Sequence, residues 1–521
     1  MHSYPHCWRS HTPLIFRATK QWFISVDDKP NGEEKTLREI AQDEVAKTAF
    51  FPETGRKRLT SMVQNRPDWC ISRQRDWGVP IAFFRVKATG EVLLDEKVLN
   101  FTAMIFEMQG SDAWYSMPIE QLMYPGSGYK AEELEKVTDI LDVWFDSGST
   151  WNSVLKSRNY DAGKYQADLY LEGSDQHRGW FQSSLFLSAA VEHKAPYKAL
   201  LTHGFTVDGK GEKMSKSKGN VIAPEKVIKE YGSEILRLWV ALSDYQTDLK
   251  ISDDILKQTA EQYRKIRNTF RFLMANVDDL ETVLAYEELG ELDKWIVSKA
   301  SLVFDDAHDL FDKYNYVQGM SVITNFIVNE LSGIYLAVTK DSLYCDGKDS
   351  VTRRGSQSAM AIILKPLLLL LAPVLTYTAD EILENLPAVL KGDAEDIFDL
   401  VYEPIDAPAS LFDEAYMSDA RDRFSVIVDA LKKEKKIKDT LELVIYAESD
   451  KVKALERADA EDWFQVSKVI FHDEANELGT FEVEGDTFKI LKADKAKCPR
   501  CWKFRAKEEA CLCERCAEVM A

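Results

Sequence analysis

Asp208-Gly209-Lys210-Gly211-Glu212-Lys213-Met214-Ser215-Lys216-Ser217-Lys218-Gly219-Asn220 is the stretch from which the rest of the chain can be read. Its glycines free the backbone, while four lysines and two hydroxyls present donors. Such a loop suits closure on a polyphosphate and stabilisation of the charge that develops as the phosphate leaves. Lysine fits the task as a compact point charge on a flexible stem. Composition alone does not separate this from a solvated basic loop. The setting adds information. Upstream, Ala167 to Gly173 reads as a short buried strand ending at a polar loop, and Trp180 to Val191 is apolar at helical spacing. Strand, loop and helix in that order is how α/β sheets bind ligands at their strand ends. Ile81 to Val86 and Glu91 to Leu94 read as further strands around a turn at Gly90.

Outward from this segment the text changes character. Beyond Asp253, the stretches Ile255 to Leu280, Leu292 to Tyr314, Val317 to Lys340 and Arg353 to Leu371 have helical periodicity with few breakers, predicting a helical bundle. Pro404 to Pro408 reads as a linker. Ala420 to Lys436 reads as a basic-ended helix, and Leu441 to Tyr446 and Phe481 to Val483 as strands of a small α/β module. The 521 residues, 45% hydrophobic and 29% charged, suffice for several cores and exclude fibrous or wholly disordered classes. Lys and Arg number 66 against 86 Asp and Glu, so the net charge of −20 repels nucleic acid at long range and any polyanion must be met by local basic patches. Met1 to His6 carries no signal-peptide pattern, and the apolar run Ile362 to Leu375 is interrupted by Lys365, Pro366 and Pro373, so it reads as a buried helix and not a membrane span. A cytoplasmic monomer without membrane contact is expected.

The string Lys213-Met214-Ser215-Lys216-Ser217 resembles the KMSKS signature of class I aminoacyl-tRNA synthetases. Trp69-Cys70-Ile71-Ser72-Arg73-Gln74-Arg75-Asp76-Trp77-Gly78-Val79-Pro80-Ile81 resembles the segment that re-enters the catalytic fold in the isoleucyl, valyl and leucyl branch. Asp142 to Gly148 and Leu171-Glu172-Gly173-Ser174-Asp175-Gln176-His177-Arg178-Gly179-Trp180-Phe181 resemble two more stretches of that branch, the second in its isoleucyl wording. Tyr263 to Arg271 resembles the opening of the anticodon-binding bundle. The resemblance implies adenylation of isoleucine by ATP, with Mg2+, and transfer to tRNA(Ile). It implies that Lys213 and Lys216 are catalytic and that Lys213, Met214, Ser215, Lys216 and Ser217 bind ATP together with His203, Gly204 and Phe205 along the adenine. Glu172, Gly173, Asp175 and Gln176 would hold the adenylate, with Trp144 and Trp180 shaping the isoleucine pocket. The residue chemistry agrees, since an aminoacyl-adenylate wants carboxylate and amide acceptors beside an aromatic wall. Read without the motif, Trp144 and Trp180 would be core aromatics, Glu172 a helix cap and His203 a satisfied core histidine.

The tail carries two C-x-x-C knuckles, Cys498 to Cys501 and Cys513 to Cys516, separated by eleven residues. Four thiolates at such spacing make a closed structural zinc site. Cys511 could replace Cys513 only by widening the knuckle, so Cys513 is the preferred ligand. Cys498-Pro499-Arg500-Cys501-Trp502 also resembles the C-terminal zinc knuckle of bacterial isoleucyl members, where it supports tRNA engagement. Three basic patches, Arg264 to Arg271, Lys432 to Lys438 and Lys489 to Lys507, fit phosphate contacts along a tRNA, with Arg264, Arg267, Arg271, Arg500 and Lys503 the named contacts. His2, His6, Cys7 and His11 have the composition of a metal site, but Pro5 and Pro13 mark a loop and no metal is assigned there.

The family's second signature, a His-x-Gly-His element, is matched by none of the eight histidines. The expected organisation is an α/β Rossmann-like catalytic half at 66–252, a helical anticodon-binding domain at 253–403, a small α/β module at 404–488 and a zinc tail at 489–521, with 1–65 left as the junction of the editing insertion. On this reading the chain is about half of a synthetase, truncated or split, with little activity alone, and in the split case it is completed by a separate N-terminal half. A non-catalytic tRNA-binding protein and a valyl enzyme are the alternatives, the latter disfavoured by Gly173 to Gln176 and the terminal knuckle.

Overall fold

The computed structural model describes residues 4–7, 10–30, 32–157, 165–453, 455, 457–472 and 476–521, so His2 lies outside the described residues. The chain forms two compact units, Met1–Phe205 with Tyr245–Thr247, and Thr206–Asp244 with Asp248–Ala521.

The first unit is built on three parallel strands in the order Ala49–Phe51, Ala199–His203, Tyr170–Gly173. Parallel neighbours need a crossover, and Trp180–Glu192 supplies it between the last two. That helix is apolar nearly all round because it is buried nearly all round, with Phe181, Leu185, Phe186 and Ala189 inside. Leu37–Lys47 opens with a capping box, the Thr36 N–H donating to Glu39 Oε2 at 2.7 Å and the Glu39 N–H to Thr36 Oγ1 at 3.2 Å. Its Ala41 and Val45, with Leu59 and Val63 of Thr54–Gln64, share one core with Tyr170, Phe181 and Tyr197. The boundary expected at residue 65 is therefore corrected: residues 37–63 are part of the α/β core, and one strand of the sheet comes from them. The expected turn at Gly90 forms, the Val86 N–H donating to Glu91 O and the Leu93 N–H to Phe84 O, both at 2.8 Å, but the strands are shorter than expected. Only Phe84–Val86 forms a strand, and it pairs antiparallel with Leu134–Lys136, while Val92 retains a single bridge to Arg85. Both partners bring side chains to one core, which holds Phe84, Leu93, Leu134 and Trp114.

In the second unit, Thr206–Asp208 pairs parallel with Leu249–Ile251, and the helices Pro224–Tyr231 and Ser233–Ala241 lie between them in sequence. The bundle follows: Asp253–Val277 capped by Ser252, Glu291–Asp312, Tyr316–Asn325 running on as a π-helical stretch Phe326–Tyr335, and Val351–Leu371. Tyr316–Cys345 and Val351–Leu371 are long and apolar enough to cross a membrane, yet Ile323, Ile327, Ile363 and Leu367 pack inside the bundle core. Pro404 to Pro408 is no free linker: Ser301 Oγ donates to Ile405 O and Ser298 Oγ to Pro408 O, both at 2.6 Å. The module is a four-stranded sheet in the order Lys468–Ile470, Leu443–Glu448, Asp486–Lys492, Gly479–Val483. Its Ile445 and Phe488 belong to the same apolar core as the bundle's Trp295 and Phe304.

Candidate functional site

The strand ends of the first unit collect the predicted acceptors. Gly173 sits opposite His203 in the register. A Cβ on Gly173 would lie 2.7 Å from Asp175 Oδ1, so a glycine is what lets the carboxylate approach this point, with His203 Cε1 at an ordinary contact distance of 3.9 Å. Gln176 is held at both ends: Nε2 donates to Asp175 Oδ2 at 3.2 Å, and Oε1 accepts from the Trp180 N–H at 2.9 Å. Trp180 stacks on Tyr170 at 4.0 Å and 7°, with its indole N–H donating to Ser147 O at 2.8 Å. Trp144 remains 41% exposed, and its ring edge would be 3.0 Å from a Cβ on Gly179. Glu172 is exposed at the end of its strand, and His203 Nδ1 contacts Gly204 O at 2.8 Å, with Phe205 exposed after it. Glu172, Gly173, Asp175, Gln176, Trp144, Trp180 and His203 thus gather at the C-terminal ends of two neighbouring strands, an arrangement that suits a ligand with polar groups and an apolar end.

Beside Trp144 lies a cavity of about 320 Å³ walled by Arg66, Trp69, Asp142, Arg178 and Gly179. The Arg66 guanidinium lies over the Trp69 and Phe186 rings at 5.3 and 5.4 Å, and burial lowers its pKa. Asp142 pairs with Arg73 at 2.8 Å and caps the helix Val143–Gly148. Sequence reading assigned no role to Arg66 or Asp142; Asp142 standing just before the apolar Val143-Trp144-Phe145 was the available cap signal.

In the second unit the lysine loop has a polar frame of its own. Asp208 Oδ1 accepts from the Lys210 and Glu212 N–H at 3.0 and 2.8 Å, and Asn220 bridges Asp208 Oδ2 at 2.9 Å to the Ser215 N–H at 3.0 Å. The Asn220 amide, then the backbone donors, hold the Asp208 carboxyl below its ordinary pKa. Gly211 and Gly219 take φ of +84° and +68°, which the turns at either end require. Met214 packs against the core of Val227, Ile235 and Trp239, anchoring the loop at its middle. Lys218 is held by Glu212 at 3.2 Å, whereas among the described residues Lys213 and Lys216 make no ion pair and are exposed. Asp208 and Asn220 position this loop. Replacing Asp208 with alanine is expected to speed amide hydrogen exchange at Lys210 and Glu212 by roughly tenfold, in line with losing a charged acceptor. Unchanged exchange would show that the frame does not order the loop.

The tail brings Cys498, Cys501, Cys513 and Cys516 together, all buried, with sulfurs within 4.8 Å of one another. The Cys501 and Cys513 sulfurs are 3.7 Å apart, and tetrahedral Zn–S bonds of about 2.3 Å put sulfurs about 3.8 Å apart. A divalent soft-acid cation therefore fits. Burial opposes ionisation of Cys498, but the backbone donors of Cys513, Cys501 and Arg500 outweigh it and bring the thiol to about 6; burial holds Cys501 and Cys513 up. Cys511 is exposed and outside the cluster, as expected.

The basic residues around the tail divide. Lys503 is 3% exposed, pairing with Asp462 at 2.7 Å and Asp341 at 3.0 Å, and Arg515 reaches Asp341 at 2.7 Å and Asp346 at 3.2 Å. Burial raises the Asp341 carboxyl, but Arg515 and Lys503 overcome this and leave it at about 2; burial raises Asp462 to about 6. Lys503 as a phosphate contact is therefore corrected: its ammonium is buried between carboxylates, and withdrawing it would strand them. Arg500 is half-buried, donating to Cys345 O and lying 3.5 Å from Cys516 Sγ. On the bundle, Arg264 pairs with Glu261, and Arg267 reaches Glu381 at 2.7 Å, while Arg271 is exposed.

Residues 10–252 match the family of class I tRNA synthetases (I, L, M and V), and residues 293–447 match the anticodon-binding domain of tRNA ligases. These matches define the chain as class I synthetase material. Over 519 residues and its full length it is 72% identical to isoleucine–tRNA ligase of Sulfurimonas denitrificans, and 66% identical to that of Nitratiruptor sp.. The chain belongs to the isoleucine–tRNA ligase family. It spans 56% of the length of those relatives, in keeping with the expectation of about half a synthetase. Methionyl-tRNA synthetase of Mycobacterium tuberculosis, solved with methionyl-adenylate, shares the fold at a TM-score of 0.53 and 18% identity, over 79% of this chain and 72% of that one.

Proposed function

We propose that this chain carries the lysine-loop and anticodon-binding portion of an isoleucine–tRNA ligase of the cytoplasm. The single observation that carries the reading is identity of 72% to such a ligase along the whole chain. In the reaction, the isoleucine carboxylate attacks the α-phosphate of ATP, the bond to pyrophosphate breaks, and the terminal ribose hydroxyl of tRNA(Ile) then displaces AMP from the adenylate. Lys213 and Lys216 neutralise charge on the departing pyrophosphate, helped by Met214, Ser215 and Ser217 shaping the loop. Glu172, Asp175 and Gln176 hold the polar groups of the adenylate beside the Trp144 and Trp180 wall, and His203, Gly204 and Phe205 lie along the adenine. Mg2+ accompanies the ATP. Cys498, Cys501, Cys513 and Cys516 hold one structural zinc, and Arg264, Arg267, Arg271 and Arg500 meet tRNA.

The test is isoleucine-dependent exchange of pyrophosphate into ATP. No histidine of this chain stands in a His-x-Gly-His arrangement, so those phosphate contacts are expected from the part of the family's length that this sequence does not hold. The chain alone is expected to exchange slowly. Mixing it with a polypeptide supplying the remaining family length is expected to restore exchange and charging of tRNA(Ile). Full exchange by the chain alone would refute the need for a second polypeptide. tRNA binding without activity in the mixture would favour a binding protein over an enzyme.

A further inference from the structure

We propose that a groove on the helical bundle, between Lys265 and Lys340, seats the sugar–phosphate backbone of RNA. The proposal deepens the tRNA reading above and rests on it, because it adds a second face of the helix Asp253–Val277 to the one that carries Arg267 and Arg271.

That helix presents two faces. One carries Arg267 and Arg271 into a groove that Glu381 and Asp278 also line, so cation and carboxylate answer each other there. Arg267 is already committed: its pairing with Glu381 raises its pKa, and Tyr263 OH adds a second partner. The opposite face carries Lys265, Asn268, Thr269 and Phe272, spaced i, i+3, i+4 and i+7, which puts them in one row along the helix. This row lines a second groove, of about 320 Å³, closed on its far side by Ser332 and Lys340. The lining contains two lysines, an amide and two hydroxyls over an apolar floor, and among the described residues no carboxylate. On a chain of net charge −20, a carboxylate-free groove with a lysine at each side is an exception to the surrounding field.

The wall between the lysines is fixed. Thr269 and Ser332 share a hydrogen bond at 2.8 Å, tying the helix to the π-helical stretch opposite. Lys265, Asn268 and Lys340 are exposed, and among the described residues neither lysine is in an ion pair. Two flexible ammonium groups reaching over one groove bind phosphates without reading sequence, and an amide between them suits a ribose 2′-hydroxyl.

The experiment measures binding of tRNA(Ile) to the 521-residue chain over a range of salt concentrations. Lys265→Ala and Lys340→Ala are each expected to weaken binding about three- to tenfold near physiological salt. Each is also expected to make the dependence of log K on log salt shallower by about 0.7–0.9, the signature of one lost phosphate contact. Lys265→Arg should keep the wild-type slope, and Lys299→Ala, which removes a bundle cation already paired with Glu414, should leave it unchanged. Unaltered melting temperatures of the variants exclude a folding defect. If the unaltered chain binds tRNA while both lysine variants match it in affinity and slope, the groove is wrong and the tRNA reading stands. If the unaltered chain does not bind tRNA at all, both fall.

Discussion

Exchanging Cys501 for serine is expected to release the one zinc ion assigned to the chain and to unfold the segment from Ala496 onward, leaving the bundle folded but weakened. The reason lies in what the tail has for a core. Its buried cluster is Cys498, Cys501, Cys513, Cys516 and Ala506, with little aliphatic side chain to bury. Such a segment cannot offset its ordering entropy by hydrophobic burial, and the metal must do it; apparent binding energies of structural zinc in short peptides are about 10–16 kcal/mol. The loss spreads through charge. Lys503, Arg515 and Arg505 leave the tail's surface to meet Asp341, Asp462, Asp346 and Glu461 on the bundle and module. Withdrawing them strands buried carboxylates, and breaking one such pair costs about 3–5 kcal/mol. Cys511→Ser removes an exposed thiol and is expected to change neither metal content nor melting. Metal analysis, counts of reactive thiols and limited proteolysis after residue 495 measure this directly. Full zinc content in the Cys501 variant, or its loss in the Cys511 variant, would overturn the assignment of ligands.

The same tail shows where sequence is a good guide and where it is not. Two C-x-x-C pairs predict a thiol cluster because thiols at that spacing have few other uses in such a chain, and the four buried cysteines that come together are those expected. The lysines and arginines between them were read as a phosphate-binding face, yet Lys503 is among the most buried residues of the tail. A charge in sequence looks the same whether it meets water or a carboxylate, and its partners Asp341 and Asp462 are over forty residues away or more. The long helices were legible from their period, and the strand, polar loop and helix around Glu172 to Trp180 from the order of apolar and polar residues. The contribution of residues 37–63 to the sheet was not, because Ala49-Phe50-Phe51 is too short to announce a strand without its neighbour Ala199–His203. Pro404 to Pro408 misled in the opposite direction: its prolines mark an irregular backbone, but its carbonyls are satisfied by serines of a helix.

Alanine at both Lys213 and Lys216 is expected to lower isoleucine-dependent pyrophosphate exchange by the completed enzyme roughly 10²–10³-fold in kcat, the range for removing a preorganised charge stabiliser from a reacting group. The Michaelis constant for isoleucine should change little, because neither lysine belongs to the acceptor cluster around Gly173. The frame of the loop explains why these two lysines carry the effect. Asp208 and Asn220 fix its base and Met214 pins its middle to the core, so the exposed ammonium groups are displayed from a defined backbone. Lys218 is engaged by Glu212, and its alanine variant should lose far less. Arginine at Lys216 should recover only part of the rate, since a planar fork does not replace a compact charge whose position follows the phosphate. A transition-state role predicts that kcat and kcat/KM fall together. A rise in the Michaelis constant for ATP at unchanged kcat would instead make the loop a ground-state phosphate clamp, and the placement of catalytic charge on Lys213 and Lys216 would have to be abandoned.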